Sequence, residues 1–169
     1  RILGKVAIKE GYDVKVSEVH GMSQRGGSVV TYVKYGDKVY SPIIDRGEAD
    51  LILAFEMPEA MRALPYLKKG GKMIANTQKM NPMPVITGAM EYPENIEEKL
   101  SAKINLQAVD ALSLAEKAGT IKAVNVVLIG LLAKSMDVDK NVWIDVIKET
   151  VPEKFLDVNI KAFELGYEL

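Results

Sequence analysis

A chain of 169 residues with 48% hydrophobic and 27% charged side chains has the composition of a soluble globular protein and the length of one domain that buries a sizeable core. Its net charge of −1 and pI near 6.0 give no bulk attraction to nucleic acid, and no basic run supplies one. Cysteine is absent and histidine occurs once, which excludes disulfides, thiolate zinc sites, iron–sulfur clusters ligated by this chain, three-histidine metal sites and most self-contained histidine triads.

In chain order, Arg1–Lys9 reads as the tail of a helix, with Ile2, Leu3, Val6 and Ala7 as its apolar stripe and Gly11 at its C-terminal cap. The sequence opens inside this pattern, so a further N-terminal portion is expected ahead of Arg1. Asp13–Val19 alternates Val14 and Val16 with charged residues, as a half-buried strand does. It runs through Glu18-Val19-His20 into Gly21-Met22-Ser23-Gln24-Arg25-Gly26-Gly27-Ser28, and a second strand, Ser28–Tyr35, runs out. Glycine lets backbone amides turn toward a bound group and approach it closely, and a guanidinium reads carboxylate or phosphate geometry. The octapeptide therefore suits an anion or an acidic partner, while a tight turn that happens to carry an Arg has the same letters.

Ser28–Tyr35 and Lys38–Ile43 flank Gly36-Asp37, a two-residue hairpin signal. Asp50–Phe55 is a continuous apolar run closed by Glu56, the pattern of a strand buried on both faces of a parallel sheet. Pro58 opens a short helix to Leu64. Gly70-Gly71 predicts a turn before strand Lys72–Ala75, which ends in Asn76-Thr77. Gln78–Pro84 holds Asn81-Pro82-Met83-Pro84 and predicts an irregular loop leading to a short strand at Val85–Thr87. Met80 and Met83, with Met57 and Met61, suit either an adaptable interface or core filling.

Glu94–Leu100 suggests a helical turn or two, and Lys103–Val109 a strand with Ile104, Leu106 and Ala108 inward. Asp110 caps a helix that runs to Ala118 and ends at Gly119. Three helices follow, Ile121–Lys134, Asp139–Thr150 and Glu153–Tyr167, the last with a stripe of Leu156, Ile160, Phe163 and Tyr167. The longest apolar run, Ala123–Ala133, is too short to span a bilayer and reads as a buried helix, in which Asn125, if buried, should be hydrogen-bonded, with a nearby loop backbone as partner. No signal peptide is visible, so a cytoplasmic setting is the expectation.

Alternating strands and helices predict a three-layer, Rossmann-like α/β fold: a mostly parallel sheet with helices on both faces, an antiparallel hairpin at or near an edge, and a C-terminal helical segment. Ligands of such folds sit outside the carboxyl ends of the strands. Glu18 with His20, Glu56, and Asn76 with Thr77 all fall at predicted strand ends of that kind. His20 has no nucleophile or second base beside it in sequence, which favours an orienting role over general base chemistry. Arg25 is harder to explain by packing and is the best candidate to contact a ligand or partner. Glu18 and Glu56 could form a carboxylate pair, although such groups more often cap loops or pair with Arg.

Ser17-Glu18-Val19-His20-Gly21-Met22-Ser23-Gln24-Arg25-Gly26-Gly27-Ser28-Val29, followed by Val39-Tyr40-Ser41-Pro42 and Ala49-Asp50-Leu51-Ile52-Leu53-Ala54-Phe55-Glu56, closely resembles the gamma-type domain of the 2-oxoacid:ferredoxin oxidoreductases, in particular the beta subunit of the indolepyruvate enzymes. The resemblance extends to Ala123-Val124-Asn125-Val126-Val127-Leu128 and Val151-Pro152-Glu153-Lys154-Phe155-Leu156. It implies a subunit, inactive alone, of an enzyme that oxidatively decarboxylates arylpyruvates with coenzyme A to an aryl-acetyl-CoA, carbon dioxide and reduced ferredoxin. Thiamine diphosphate, magnesium and the 4Fe–4S clusters would belong to a larger alpha subunit, in keeping with the absence of Cys here. No catalytic residue and no metal ligand is assigned to this chain, and neither nucleic acid nor membrane is an expected partner. The contacting loop would be Glu18, His20, Gly21, Gln24, Arg25, Gly26, Gly27 and Ser28, facing the alpha subunit near its thiamine site or the coenzyme A path, with Glu56, Asn76 and Thr77 as strand-end contributors. The family pattern usually opens with a strand and a Gly-x-Gly-Gly-Gln-Gly turn, which this sequence does not contain before Arg1. Two other readings of the same loop are a stand-alone nucleotide- or anion-binding module and an assembly scaffold with no part in the chemistry.

Overall fold

The structure is a computed structural model, and it describes residues 1–20 and 29–169. Helix α1 (Ile2–Lys9) buries Gly4, Val6 and Ala7 and leads into strand β1 (Asp13–His20). Gly11 has φ of +87°, and its N–H and that of Tyr12 close onto Ile8 O and Ala7 O; a Cβ-free residue ends the helix as the sequence predicts.

β1 pairs antiparallel with β2 (Val29–Gly36), from Asp13 opposite Gly36 to His20 opposite Val29. This pairing corrects the hairpin expected around Gly36-Asp37. Residues 38–43 form no strand, because their polar groups find side-chain partners instead of a ladder. Asp13 Oδ2 accepts the Val39 N–H at 2.9 Å, Ser41 Oγ accepts the Ile43 N–H at 3.2 Å, and Lys34 Nζ donates to Ile43 O at 3.1 Å, while Pro42 has no N–H to offer. Lys15 donates to Asp13 Oδ1 at 2.8 Å, and that bond, then the Val39 N–H, lowers the Asp13 pKa to about 2.

The second sheet is parallel, with strand order β3 (Ala49–Ala54), β4 (Leu67–Asn76), β5 (Asn105–Val109). Gly70-Gly71 lies inside β4 rather than in a turn before it. Ala49 pairs with Leu67, but the next rung is Leu51 with Lys72, so β4 bulges between them. Gly70 takes φ of +82°, and a Cβ on Gly71 would lie 2.9 Å from Asp50 O.

Period-two alternation divides the parallel sheet between two cores. Leu51, Leu53, Ile74 and Val109 face a large cluster built with α1, α5 (Ala111–Ala118), α6 (Val124–Lys134), α7 (Lys140–Thr150) and α8 (Leu156–Tyr167). Ile52, Ala54, Met73, Ala75, Ile104, Leu106 and Ala108 face a smaller one with α2 (Met57–Ala63) and α4 (Ile96–Ser101). Helices on both faces of a parallel sheet make the three layers the sequence predicts. Met57 and Met61 belong to the smaller core.

One further expectation is corrected. Residues 83–86 form a single helical turn, α3 (Met83–Ile86), in place of the strand expected at Val85–Thr87. Pro82 and Pro84 preset the backbone for a first helical turn, and that outweighs the β preference of Val85, Ile86 and Thr87. Asn125 lies on the solvent side of α6, exposed, while Val126, Val127, Leu128 and Leu131 turn inward.

Candidate functional site

The hairpin carries Glu18 and His20 at its far end, both exposed, where β1 meets the first residues of β2. Alternation puts Glu18 and His20 on one face of the ribbon with Thr31 and Val29 opposite them. Gly21, Gln24, Arg25, Gly26, Gly27 and Ser28 lie outside the described residues. The strand-end argument does not extend to Glu18 and His20: among the described residues β1 pairs with β2 alone and is no member of the parallel sheet. Nor is the carboxylate pair of Glu18 and Glu56 seen: Glu18 lies in the β1–β2 ribbon, and Glu56 follows β3 of the other sheet and precedes α2.

Glu56, Asn76 and Thr77 do share the carboxyl edge of the parallel sheet. Asn76 is fully buried at the end of β4. Its Oδ1 accepts the Ala111 N–H at 3.1 Å and the Gln78 N–H at 3.5 Å, and its Nδ2 donates to Gln78 Oε1 at 3.4 Å. Thr77 donates to Val109 O through its backbone N–H at 2.9 Å and through Oγ1 at 3.3 Å. Both residues thus lash the end of β4 to the end of β5 and the start of α5, where Asp110 accepts from Ser113 N at 3.0 Å. Asn76→Ala is expected to leave the Ala111 N–H buried and unpaired, at a cost of about 1–3 kcal/mol. Denaturant titration reads that loss; an unchanged midpoint together with lost activity would instead make Asn76 a ligand contact.

Glu56 precedes α2 in extended conformation; its backbone O accepts the Ala60 N–H at 3.1 Å, but its side chain makes no capping hydrogen bond to the helix. Burial, and next the Glu59 carboxylate, push its pKa up against the opposing pull of Arg62. Beside it stands Tyr92, whose phenol is pushed up by burial and then by the Glu56 charge. The Lys79 ammonium lies 5.5 Å from the Tyr92 ring centroid. The sequence analysis did not single out Tyr92 or Lys79, because only the fold of the chain brings the Tyr92 phenol to the Glu56 charge and the Lys79 ammonium to the Tyr92 ring; no spacing signals it.

Two surface depressions, of about 390 and 350 Å³, lie elsewhere: one lined by Lys68, Lys69, Gly71 and Lys103, the other by Pro58, Met61, Arg62 and Lys99. Neither lining includes Glu18, His20, Glu56, Asn76 or Thr77. Among the described residues no group of three or more His, Asp or Glu side chains is placed to hold a metal ion, and no helix is long and apolar enough to cross a membrane.

Parallel sheet, two helical layers, hairpin and helical C-terminal segment define a Rossmann-like fold of the kind seen in pyruvate oxidoreductase subunit PORC of Thermotoga maritima, which superposes with a TM-score of 0.71 at 20% identity over 99% of this chain and 85% of that one. The chain belongs to the pyruvate ferredoxin/flavodoxin oxidoreductase family, whose profile matches residues 1–169. The indolepyruvate oxidoreductase subunit IorB of Thermococcus kodakarensis is 44% identical over 98% of this chain and 85% of its own length. The ketoisovalerate oxidoreductase subunit VorA of Methanothermobacter marburgensis is 28% identical over 97% of this chain but only 32% of its own length.

Proposed function

We infer that this chain is the cluster-free subunit of a thiamine-dependent 2-oxoacid:ferredoxin oxidoreductase that acts on indolepyruvate and other arylpyruvates. The reaction cleaves the bond between the carboxyl and oxo carbons, releases carbon dioxide, and transfers the acyl group to the sulfur of coenzyme A while an electron pair passes to ferredoxin. The observation that carries this reading is the 44% identity to an indolepyruvate oxidoreductase subunit along nearly the whole chain. Thiamine diphosphate, magnesium and the 4Fe–4S clusters are assigned to the larger alpha subunit by the family resemblance, and the lack of any Cys thiolate in this sequence fits that division for the clusters. Glu18, His20 and the Gly21–Ser28 loop supply the contact to that subunit or to a bound anion, with Arg25 as the charged group that reads it. The setting is the cytoplasm.

The test is reconstitution with the larger subunit, following viologen reduction on indolepyruvate plus coenzyme A. Turnover is expected to require this chain and to fall at least about tenfold with Arg25→Ala in a complex that still assembles, the loss of one charge-assisted contact. Equal turnover without this chain overturns the assignment. Unchanged turnover by the Arg25→Ala complex makes the loop part of a scaffold, and saturable nucleotide binding by the isolated chain points to a stand-alone module.

A further inference from the structure

Residues 80–90, Met-Asn-Pro-Met-Pro-Val-Ile-Thr-Gly-Ala-Met, carry no charge. They leave the carboxyl end of β4 and fold onto themselves around α3. Ile86 N–H donates to Pro82 O, Thr87 N–H to Met83 O and Met90 N–H to Pro84 O at 2.9–3.1 Å, and Thr87 Oγ1 donates to Pro84 O at 3.2 Å. No residue of the segment joins either core cluster. Met80, Met83, Ile86 and Met90 are 49–66% exposed, at spacings of three and four residues. A segment that satisfies its own backbone and turns its large apolar side chains to water loses little entropy on docking and gains from being covered.

We propose that residues 80–90 are a docking element for the companion subunit of the oxidoreductase, seated in an uncharged apolar groove of that chain; this rests on the subunit reading above. Eleven charge-free residues match a partner face without fixed charge, which disfavours nucleic acid or a strongly charged protein. The amount of chain outside this fold points to the occupant. In the VorA relative the matched stretch is 32% of one chain, so most of that oxidoreductase subunit is tied to it covalently. In the IorB relative the match is 85% of the chain, which leaves little covalent chain beyond this fold, so a companion of such a chain is held by a surface. Methionines suit such a surface because their unbranched thioethers adapt to an irregular groove.

The full chain is co-purified with the companion subunit, and affinity is measured for wild type, for Met83→Glu with Met90→Glu, and for Ile121→Glu, a control at a comparably exposed position outside the segment. The double variant is expected to bind at least ~100-fold more weakly, with Ile121→Glu binding and all melting curves like wild type. Should the Glu pair melt early, Met83→Ser with Met90→Ser provides the same comparison. Binding of the double variant within about threefold of wild type overturns the proposal and leaves the oxidoreductase reading standing. A wild-type chain that binds no companion subunit overturns that reading and the docking role with it. A self-association lost in the double variant while companion binding is kept makes a second copy the occupant and overturns the proposal.

Discussion

Gly166→Ala is expected to destabilise the protein by about 3 kcal/mol or more, at or beyond the upper end of overpacking costs. α6 and α8 form the most extensive helix–helix contact of the fold, and their backbones touch at Gly130 and Gly166. A Cβ on Gly166 would land on Val127 O and 2.9 Å from Val127 C. A Cβ on Gly130 would land on Phe163 O and 2.8 Å from Tyr167 N. These obstacles are helical backbone atoms, so no side chain can swing aside. Higher helix propensity favours Ala over Gly by about 1 kcal/mol, too little to offset the clash. A urea titration decides between the two effects: a midpoint equal to or above wild type would mean that the helices are not in backbone contact. Gly130→Ala should behave alike, and the double variant should cost less than the sum, because both act on one contact.

Trp143→Ala is expected to cost about 3–5 kcal/mol, the range for deleting a buried aromatic side chain. Trp143 is fully buried on α7 and stacks on Phe163 of α8, with centroids 6.4 Å apart and an interplanar angle of 24°. Phe163 in turn meets Tyr167 at 5.8 Å. Trp143→Phe separates packing from polarity. The indole Nε1 has no hydrogen-bond acceptor among the described residues, so the smaller ring relieves a buried orphan donor while leaving a gap. The two effects oppose, and the net change is expected within about 1 kcal/mol of wild type. If Phe costs as much as Ala in the same titration, the ring nitrogen is satisfied and its loss dominates.

The sequence specified most local structure correctly wherever one periodicity and one cap agreed. Asp110 and Gly119 bound α5 as read, Asp50–Phe55 is a parallel strand to within a residue, and Ile104, Leu106 and Ala108 face one core. It misled where propensity and context competed. Val85-Ile86-Thr87 favours a strand, but two prolines and self-made hydrogen bonds turn it helical. Gly70-Gly71 reads as a turn, yet the pair forms a bulge within β4 because β3 comes too close for a Cβ. Asn125 breaks an apolar run without being buried, since one side of α6 faces water.

What the sequence determined alone is therefore the layer order and the absence of thiolate chemistry, because alternation, caps and composition are local properties. The resemblance that names the family also rests on local strings. Which strands pair, and which polar groups meet, was decided by tertiary structure. β1 pairs with β2 and not within the parallel sheet, so Glu18 and His20 do not end a strand of the sheet whose carboxyl edge carries Glu56. Asn76 proved to be a buried tie between strand ends, and Tyr92 came to Glu56 across 36 residues of chain, a long-range closure that no spacing in the sequence encodes.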